Sequence, residues 1–215
     1  MKRINGLEIP ESLEEVCDPR QMALLIYDMQ AGICSQVKNS AHITSQIARL
    51  IAACRAAGVR VVYTRHLSLP KAWMGVMQYR TTMAWQRKDE PSDVSPWFLR
   101  GTPGFEIVPE LAPQPDDAIF DKLSFSAFEG TPLEFALRDA GIQSVAIAGI
   151  ATEIGIEPTV RHAADIGIIP VVVADACGAG HEEAGQRSLD SLRFMGDAII
   201  SDVVSIETLL RSREK

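Results

Sequence analysis

Hydrophobic residues in this chain fall into short aliphatic runs, separated by stretches with an apolar residue at every third or fourth place. The first run, Ala23-Leu24-Leu25-Ile26-Tyr27, predicts a strand that stops at Asp28. Ile43, Ile47, Leu50, Ile51 and Cys54 then recur at helical spacing and predict a helix from about Thr44 to Ala57, closed by Gly58. Val59 to Thr64 reads as a second strand leading into Arg65-His66. After a long break the alternation resumes. A strand is expected near Ala118-Ile119-Phe120, a helix from Pro132 to Ala140 and a strand from Val145 to Ala148. A helix comes after Gly155, then a strand from Ile168 to Ala174 that ends at Asp175-Ala176-Cys177. A helix from Glu182 to Arg193, a strand at Ala198-Ile199-Ile200 and a helix from about Ile206 complete the pattern. For the helix at Pro132, Thr131 is the expected N-cap, Pro132 the first helical residue and Glu134 the partner in a capping box. Met1 to Arg20 is polar and proline-containing, and is expected to be an arm across the surface.

Strands alternating with helices, each strand a continuous aliphatic run, argue for an α/β protein with a parallel sheet and helices on both faces. Right-handed crossovers place the carboxyl ends of all such strands on one edge, where ligands bind. Asp28, His66, Lys122, Gly155 and Cys177 each fall at or just past a strand end, and so form one candidate site from distant parts of the chain. Pro158 is tolerated only in a first helical turn, which places Gly155 at or near an N-cap. Backbone N–H groups there suit an anion or a developing oxyanion, although an ordinary tight turn would also use a glycine.

The segment from His66 to Gly104 breaks the alternation and holds Trp73, Trp85 and Trp97 together with Met74, Met77, Met83 and Tyr79. A connection this long is expected to be a lid or substrate-binding insertion, or else an oligomer interface. At 215 residues the chain is expected to be one domain, with 1–20 as the arm and 66–104 as the insertion. A net charge of −7 argues against nucleic acid or an anionic membrane as a partner and leaves small molecules. Cys17, Cys34, Cys54 and Cys177 show no metal-ligand spacing, and reduced thiols point to the cytoplasm. The amino-terminal residues lack the apolar core of a signal peptide, and no run approaches the roughly 20 apolar residues of a membrane span.

Four segments, LLIYDMQ (Leu24–Gln30), KLSFSAFEGTPLEFALRDAGI (Lys122–Ile142), AGIATEIGIEPTVRHAADIG (Ala148–Gly167) and VVVADACGA (Val171–Ala179), together resemble the isochorismatase-like hydrolase superfamily. The resemblance runs from about Ala23 onward. It implies a Rossmann-like three-layer sandwich with about six parallel strands, and assembly as a homodimer or homotetramer. In the amidohydrolase branch an Asp, a Lys and a nucleophilic Cys do the chemistry. Asp28 and Lys122 match the first two, and Gly155 stands where the Cys would fall. Glycine can form neither a thiolate nor an acyl-enzyme.

The isochorismatase branch also has a glycine at that position and cleaves an enol ether without a covalent intermediate. The resemblance then makes Asp28 a general acid, whose proton is favoured by burial and opposed by the Lys122 ammonium. Lys122 would orient Asp28 and hold a substrate carboxylate or carbonyl. N–H groups near Ala151 and Gly155 would bind an oxygen, and a cis peptide is expected at Ile150–Ala151. Isochorismatases carry Tyr-Ala-His where this chain has Ala151-Thr152-Glu153, so the local string looks more like a Cys-hydrolase motif with its Cys replaced.

His66, Ala151, Thr152, Gln30 and Trp85 are the candidate substrate contacts. Arg65 to Lys71 supplies a single residue of the Asp/His metal cluster found in nicotinamidases, so the expectation is a hydrolase without metal or cofactor. Its substrate is expected to be a small acid, ester, amide or enol ether. The alternatives are a disarmed homologue that binds a small molecule, and a lyase or isomerase using Asp28. Cys177 is either a substitute nucleophile or a small buried hydrophobe. Glu153 and Glu157 either meet a basic substrate or are paired or solvated in the first helical turn, with Arg161 and His162 as possible partners.

Overall fold

The computed structural model describes residues 1–213. The chain begins with a hairpin, β1 (Lys2–Ile4) and β2 (Leu7–Ile9), paired antiparallel. Its turn is Asn5-Gly6, at φ 51° and 79°. Two consecutive left-handed residues match the right-handed twist of the flanking strands, which is why Asn-Gly favours such turns. The expected surface arm is therefore a small ordered ribbon, with every strand residue exposed.

Next come α1 (Leu13–Val16), β3 (Met22–Tyr27), α2 (Ala31–Cys34), α3 (Ser40–Ala56), β4 (Arg60–His66) and α4 (Val76–Gln86). They are succeeded by β5 (Ala118–Lys122), α5 (Leu133–Asp139), β6 (Ser144–Ile150), α6 (Glu157–Asp165) and β7 (Ile169–Gly178). The last elements are α7 (Glu182–Met195), β8 (Ile199–Ser201) and α8 (Val203–Ser212). Six strands form one sheet in the order β5-β4-β3-β6-β7-β8, and every pairing is parallel. This is the three-layer α/β sandwich expected from the alternation.

Alternate residues of each strand face opposite layers. Leu24 and Ile26 of β3 pack with Ile47, Leu50 and Cys54 of α3 and with Ile206 and Leu210 of α8. Leu25 and Tyr27 face the other layer, with Leu137 of α5, Val160 and Ala163 of α6 and Leu192 of α7. From β3 the chain builds outward through β4 and β5, and it returns to β3's other side with β6. Strand order therefore reverses between β3 and β6, and a crevice opens at their carboxyl ends.

Local details differ from the sequence pattern. Helix α3 begins at Ser40, ahead of its apolar stripe, because Ser40, Ala41 and His42 complete a first turn that faces away from the core. Strands β4 and β5 run through His66 and Lys122, which pair with each other in register. The N-cap of α5 is Pro132, one residue later than expected; Thr131 Oγ1 accepts a hydrogen bond from the Leu133 N–H at 3.3 Å, and Glu134 does not close a capping box. It accepts from Arg138 Nε at 2.9 Å, one helical turn on, where a full opposite charge outcompetes a backbone donor. Between β4 and β5, 3₁₀ turns at Lys71–Trp73, Pro91–Asp93, Pro103–Phe105 and Pro109–Leu111 accompany α4. No residue of α4 is buried.

Candidate active site

Asp28 comes immediately after β3 and adopts φ 49°, a left-handed conformation that Asp tolerates better than most residues. This turns its side chain out of the strand's alternation and into the crevice. Asp28 is 3 % exposed, and its carboxylate is bonded on both oxygens. Oδ1 accepts from Thr64 Oγ1 at 2.8 Å, and Oδ2 accepts from Lys122 Nζ at 2.6 Å. Lys122, 2 % exposed, also donates to the Ser124 carbonyl at 3.2 Å, and its Nζ lies 4.3 Å from the centre of the Tyr27 ring. Burial pushes the Lys122 amine below its ordinary range, while the Asp28 carboxylate pulls the other way.

Asp28 and Lys122 line a cavity of about 220 Å³ together with Tyr27, His66, Trp85, Trp97, Phe98 and Phe125. Ile33, Val37, Ile150, Ala151, Ile154 and Gly180 complete much of its wall. The ring of His66 sits edge-on to Phe98 and Trp85, at 5.7 and 6.4 Å between centroids. Burial, helped by the positive Lys122, pushes His66 down to about 4, so the imidazole is neutral at pH 7. Among the described residues, no three His, Cys, Asp or Glu side chains group closely enough to hold a metal ion.

Of the candidate substrate contacts, His66, Ala151 and Trp85 line the cavity, whereas Gln30 and Thr152 do not. Gln30 is fully buried and uses its carboxamide as an extra peptide unit. Its Oε1 accepts from the His66 N–H at 2.6 Å, and its Nε2 donates to the carbonyls of His66 and Phe105 at 3.0 and 2.9 Å. It positions the end of β4 instead of meeting a ligand. Thr152 donates to the Gly178 carbonyl at 3.0 Å and ties the start of the helix to β7.

The crevice's other wall begins at the cis peptide Ile150–Ala151. A π-turn at Thr152–Ile156 is capped by Ala151, not by Gly155, and runs directly into α6. Pro158 lies in the first turn of α6, as its missing N–H requires, but the backbone is already helical before it. The N–H groups of Ile154, Gly155 and Ile156 all point to the Ala151 carbonyl, with Gly155 at 3.0 Å. The Gly155 N–H is thus engaged within the turn, so the expected oxygen-binding role there has lost one of its donors.

The side chain that faces Gly155 is Tyr27. An ideal Cβ built on Gly155 would fall 1.8 Å from the tyrosine hydroxyl oxygen. The Tyr27 hydroxyl donates to the carbonyl of Phe125, and burial with the nearby Asp28 charge pushes the phenol well above its ordinary range. Sequence reasoning passed over this residue. The available signal was a bulky phenol ending an otherwise aliphatic run, directly before a candidate catalytic carboxylate.

The remaining candidates lie elsewhere. Cys177 of β7 pairs with Gly149 of β6, its thiol near the Ile147 carbonyl at 3.7 Å, and burial pushes it up to about 12. Such a thiol is no nucleophile at neutral pH. Glu157 accepts from Arg161 at 2.8 Å and from Ser188 at 2.5 Å, and Glu153 accepts from the His181 N–H at 2.8 Å. His162 Nδ1 meets Ser126 Oγ at 2.9 Å. These groups hold α6 to its neighbours.

The Isochorismatase domain model matches residues 22–205, which span the whole six-stranded sheet. The chain belongs to the isochorismatase family. It is 29% identical over 204 residues to the ureidoacrylate amidohydrolase RutB of Serratia proteamaculans, covering 87% of this chain and 82% of that protein. Among solved structures it resembles a cysteine hydrolase from Pseudomonas syringae pv. phaseolicola, with a TM-score of 0.79 and 25% identity over 92% of this chain and 95% of the other. The nicotinamidase of Bacillus subtilis shares the fold, with a TM-score of 0.70 and 21% identity over 85% of this chain and 99% of that one. No helix among the described residues of this family member is long and apolar enough to cross a membrane.

Proposed function

We propose that this isochorismatase-family hydrolase acts on a small organic molecule without a covalent intermediate, with Asp28 as general acid and base and Lys122 as its proton partner. The observation that carries the reading is the buried Asp28–Lys122 contact of 2.6 Å opening onto a mostly apolar cavity, with a glycine at position 155. An acyl-enzyme needs a side chain there, and glycine offers none. A nucleophile-free route needs only an acid, a water molecule and a bound substrate.

The favoured substrate class is an enol ether of a small acid. Asp28 delivers its proton to the vinyl carbon, and the resulting oxocarbenium ion takes up water. Asp28 recovers a proton from that water, and the hemiketal collapses to a keto acid and an alcohol. The oxocarbenium intermediate is cationic, which suits a turn whose Gly155 N–H is already bonded, and negative charge develops only on the leaving oxygen as the hemiketal collapses. Direct hydrolysis of an amide would place negative charge against that wall and is the less favoured class. The neutral His66 adds no second cation to repel the oxocarbenium ion. The rims formed by Trp85 and Trp97 would cover the substrate's apolar part.

The experiment is a turnover screen of wild type and Asp28→Asn against isochorismate-type enol ethers, ureido acids, N-carbamoyl compounds and nicotinamide. The expected outcome is turnover of an enol ether, with kcat lowered at least about 100-fold by Asp28→Asn while binding is roughly kept. Tight binding of a panel member without turnover would instead make the protein a disarmed small-molecule binder.

A further inference from the structure

We propose that Tyr27 is a third catalytic residue, its hydroxyl occupying the place of the missing nucleophile and donating a hydrogen bond to the substrate oxygen that becomes negative. The inference rests on the nucleophile-free reading above and adds the group that replaces the thiol. Its basis is steric. A Cβ at position 155 would lie 1.8 Å from the Tyr27 hydroxyl oxygen, 2.3 Å from Cζ and 2.6 Å from Cε1, all inside bonding-like distances that real side chains never share. Tyr27 in this position and any side chain at 155 therefore exclude one another. The glycine is half of a pair, and the phenol is the other half.

The ring is fixed where it stands. Tyr27 is 2 % exposed, packs with Leu25, Ile156 and Val160 in the core below, and passes under the Lys122 ammonium at 4.3 Å. Its hydroxyl is satisfied by the Phe125 carbonyl, which belongs to the loop after β5 and also borders the cavity. Tyr27 and Asp28 are adjacent in the chain and line the same cavity. With its proton held firmly by burial and by the Asp28 charge, the phenol is a donor and not a base at neutral pH. As the bond to the leaving oxygen breaks, negative charge grows on that atom, and the hydroxyl exchanges the Phe125 carbonyl for it. The exchange turns only the O–H bond about the fixed phenol ring, so the donor reaches the developing charge with little movement.

The same geometry predicts that Gly155→Cys alone cannot seat a thiol, and that Tyr27→Val with Gly155→Cys can. Two measurements test the proposal. Tyr27→Phe keeps the ring and removes only the hydroxyl. On the enol ether turned over by wild type it should lower kcat about 100-fold with KM changed less than about threefold. Thermal unfolding of Gly155→Ala, Tyr27→Val and the double variant should show a large loss of Tm for Gly155→Ala in wild type and almost none in the Tyr27→Val background. A Tyr27→Phe enzyme with wild-type kcat overturns the donor role, and equal costs of Gly155→Ala in both backgrounds overturn the shared space. Asp28→Asn run alongside keeps the two ideas apart. Activity lost in Asp28→Asn and kept in Tyr27→Phe sinks only this inference, and the reverse result sinks only the Asp28 mechanism.

Discussion

The floor and the rim of the cavity are built differently. The floor is the ends of three adjacent parallel strands, and it carries Asp28, His66 and Lys122. Its charged groups are almost fully buried, and each finds a partner within 3.2 Å, in backbone that the sheet ladder already fixes. The rim comes from the segment between β4 and β5, where α4 buries no residue and Trp73, Trp85 and Trp97 are 77 %, 38 % and 37 % exposed. Under the proposed mechanism the floor groups would move protons, which needs fixed distances, and they sit where the sheet holds the backbone in place. Under the same proposal a substrate would enter and leave past Trp85 and Trp97, on a segment that buries few side chains.

That contrast can be broken most severely at the floor. Lys122→Met should leave the Asp28 carboxylate buried beside an apolar chain, at a cost of about 3–5 kcal/mol. The check is the urea midpoint at pH 7, read with kcat. A loss below about 1 kcal/mol would mean that the pair is not what holds Asp28 in place.

A middle-sized effect is expected from His66, which joins floor to rim. Its pKa of about 4 in the folded protein is below the ordinary 6.5, so between these values the unfolded chain takes a proton that the native protein refuses. The stability is therefore fully present above pH 6.5 and is lost as pH falls toward 4. The loss should be on the order of 2–3 kcal/mol, reduced from the full shift because part of the ring meets solvent. Denaturation midpoints of wild type and His66→Gln between pH 7 and 4 should converge at the acid end. Parallel curves would remove His66 as the cause.

The smallest effects belong to the rim. Trp85→Ala should change stability little and raise KM, because its ring covers the cavity. Trp73→Ala, on the exposed 3₁₀ turn, should change stability by less than about 0.5 kcal/mol and leave KM alone. If Trp73→Ala instead splits an oligomer in sedimentation, the rim is an interface as well.

Much of the frame is legible in the chain itself. Continuous aliphatic runs between amphipathic helices can be buried in only one kind of sheet, and this determined the parallel α/β sandwich. The same runs stop at Asp28 and near His66 and Lys122, which is why a site at one sheet edge could be read from the chain alone. The ribbon at Lys2–Ile9 was also legible, in Asn5-Gly6, but exposed residues around it gave no hydrophobic pattern to read. Gln30 ends the first motif and read as a ligand contact. Only the folded chain brings it against the backbone of His66, because a carboxamide's partners are set by what folding places opposite it.

The opposition of Tyr27 and Gly155 belongs to tertiary structure in the same way. By sequence, Tyr27 is the end of a strand and Gly155 a gap in a motif. Pattern and propensity record which face a residue takes, but not which distant side chain fills the volume it leaves, and close packing across β3 and the turn into α6 decided that.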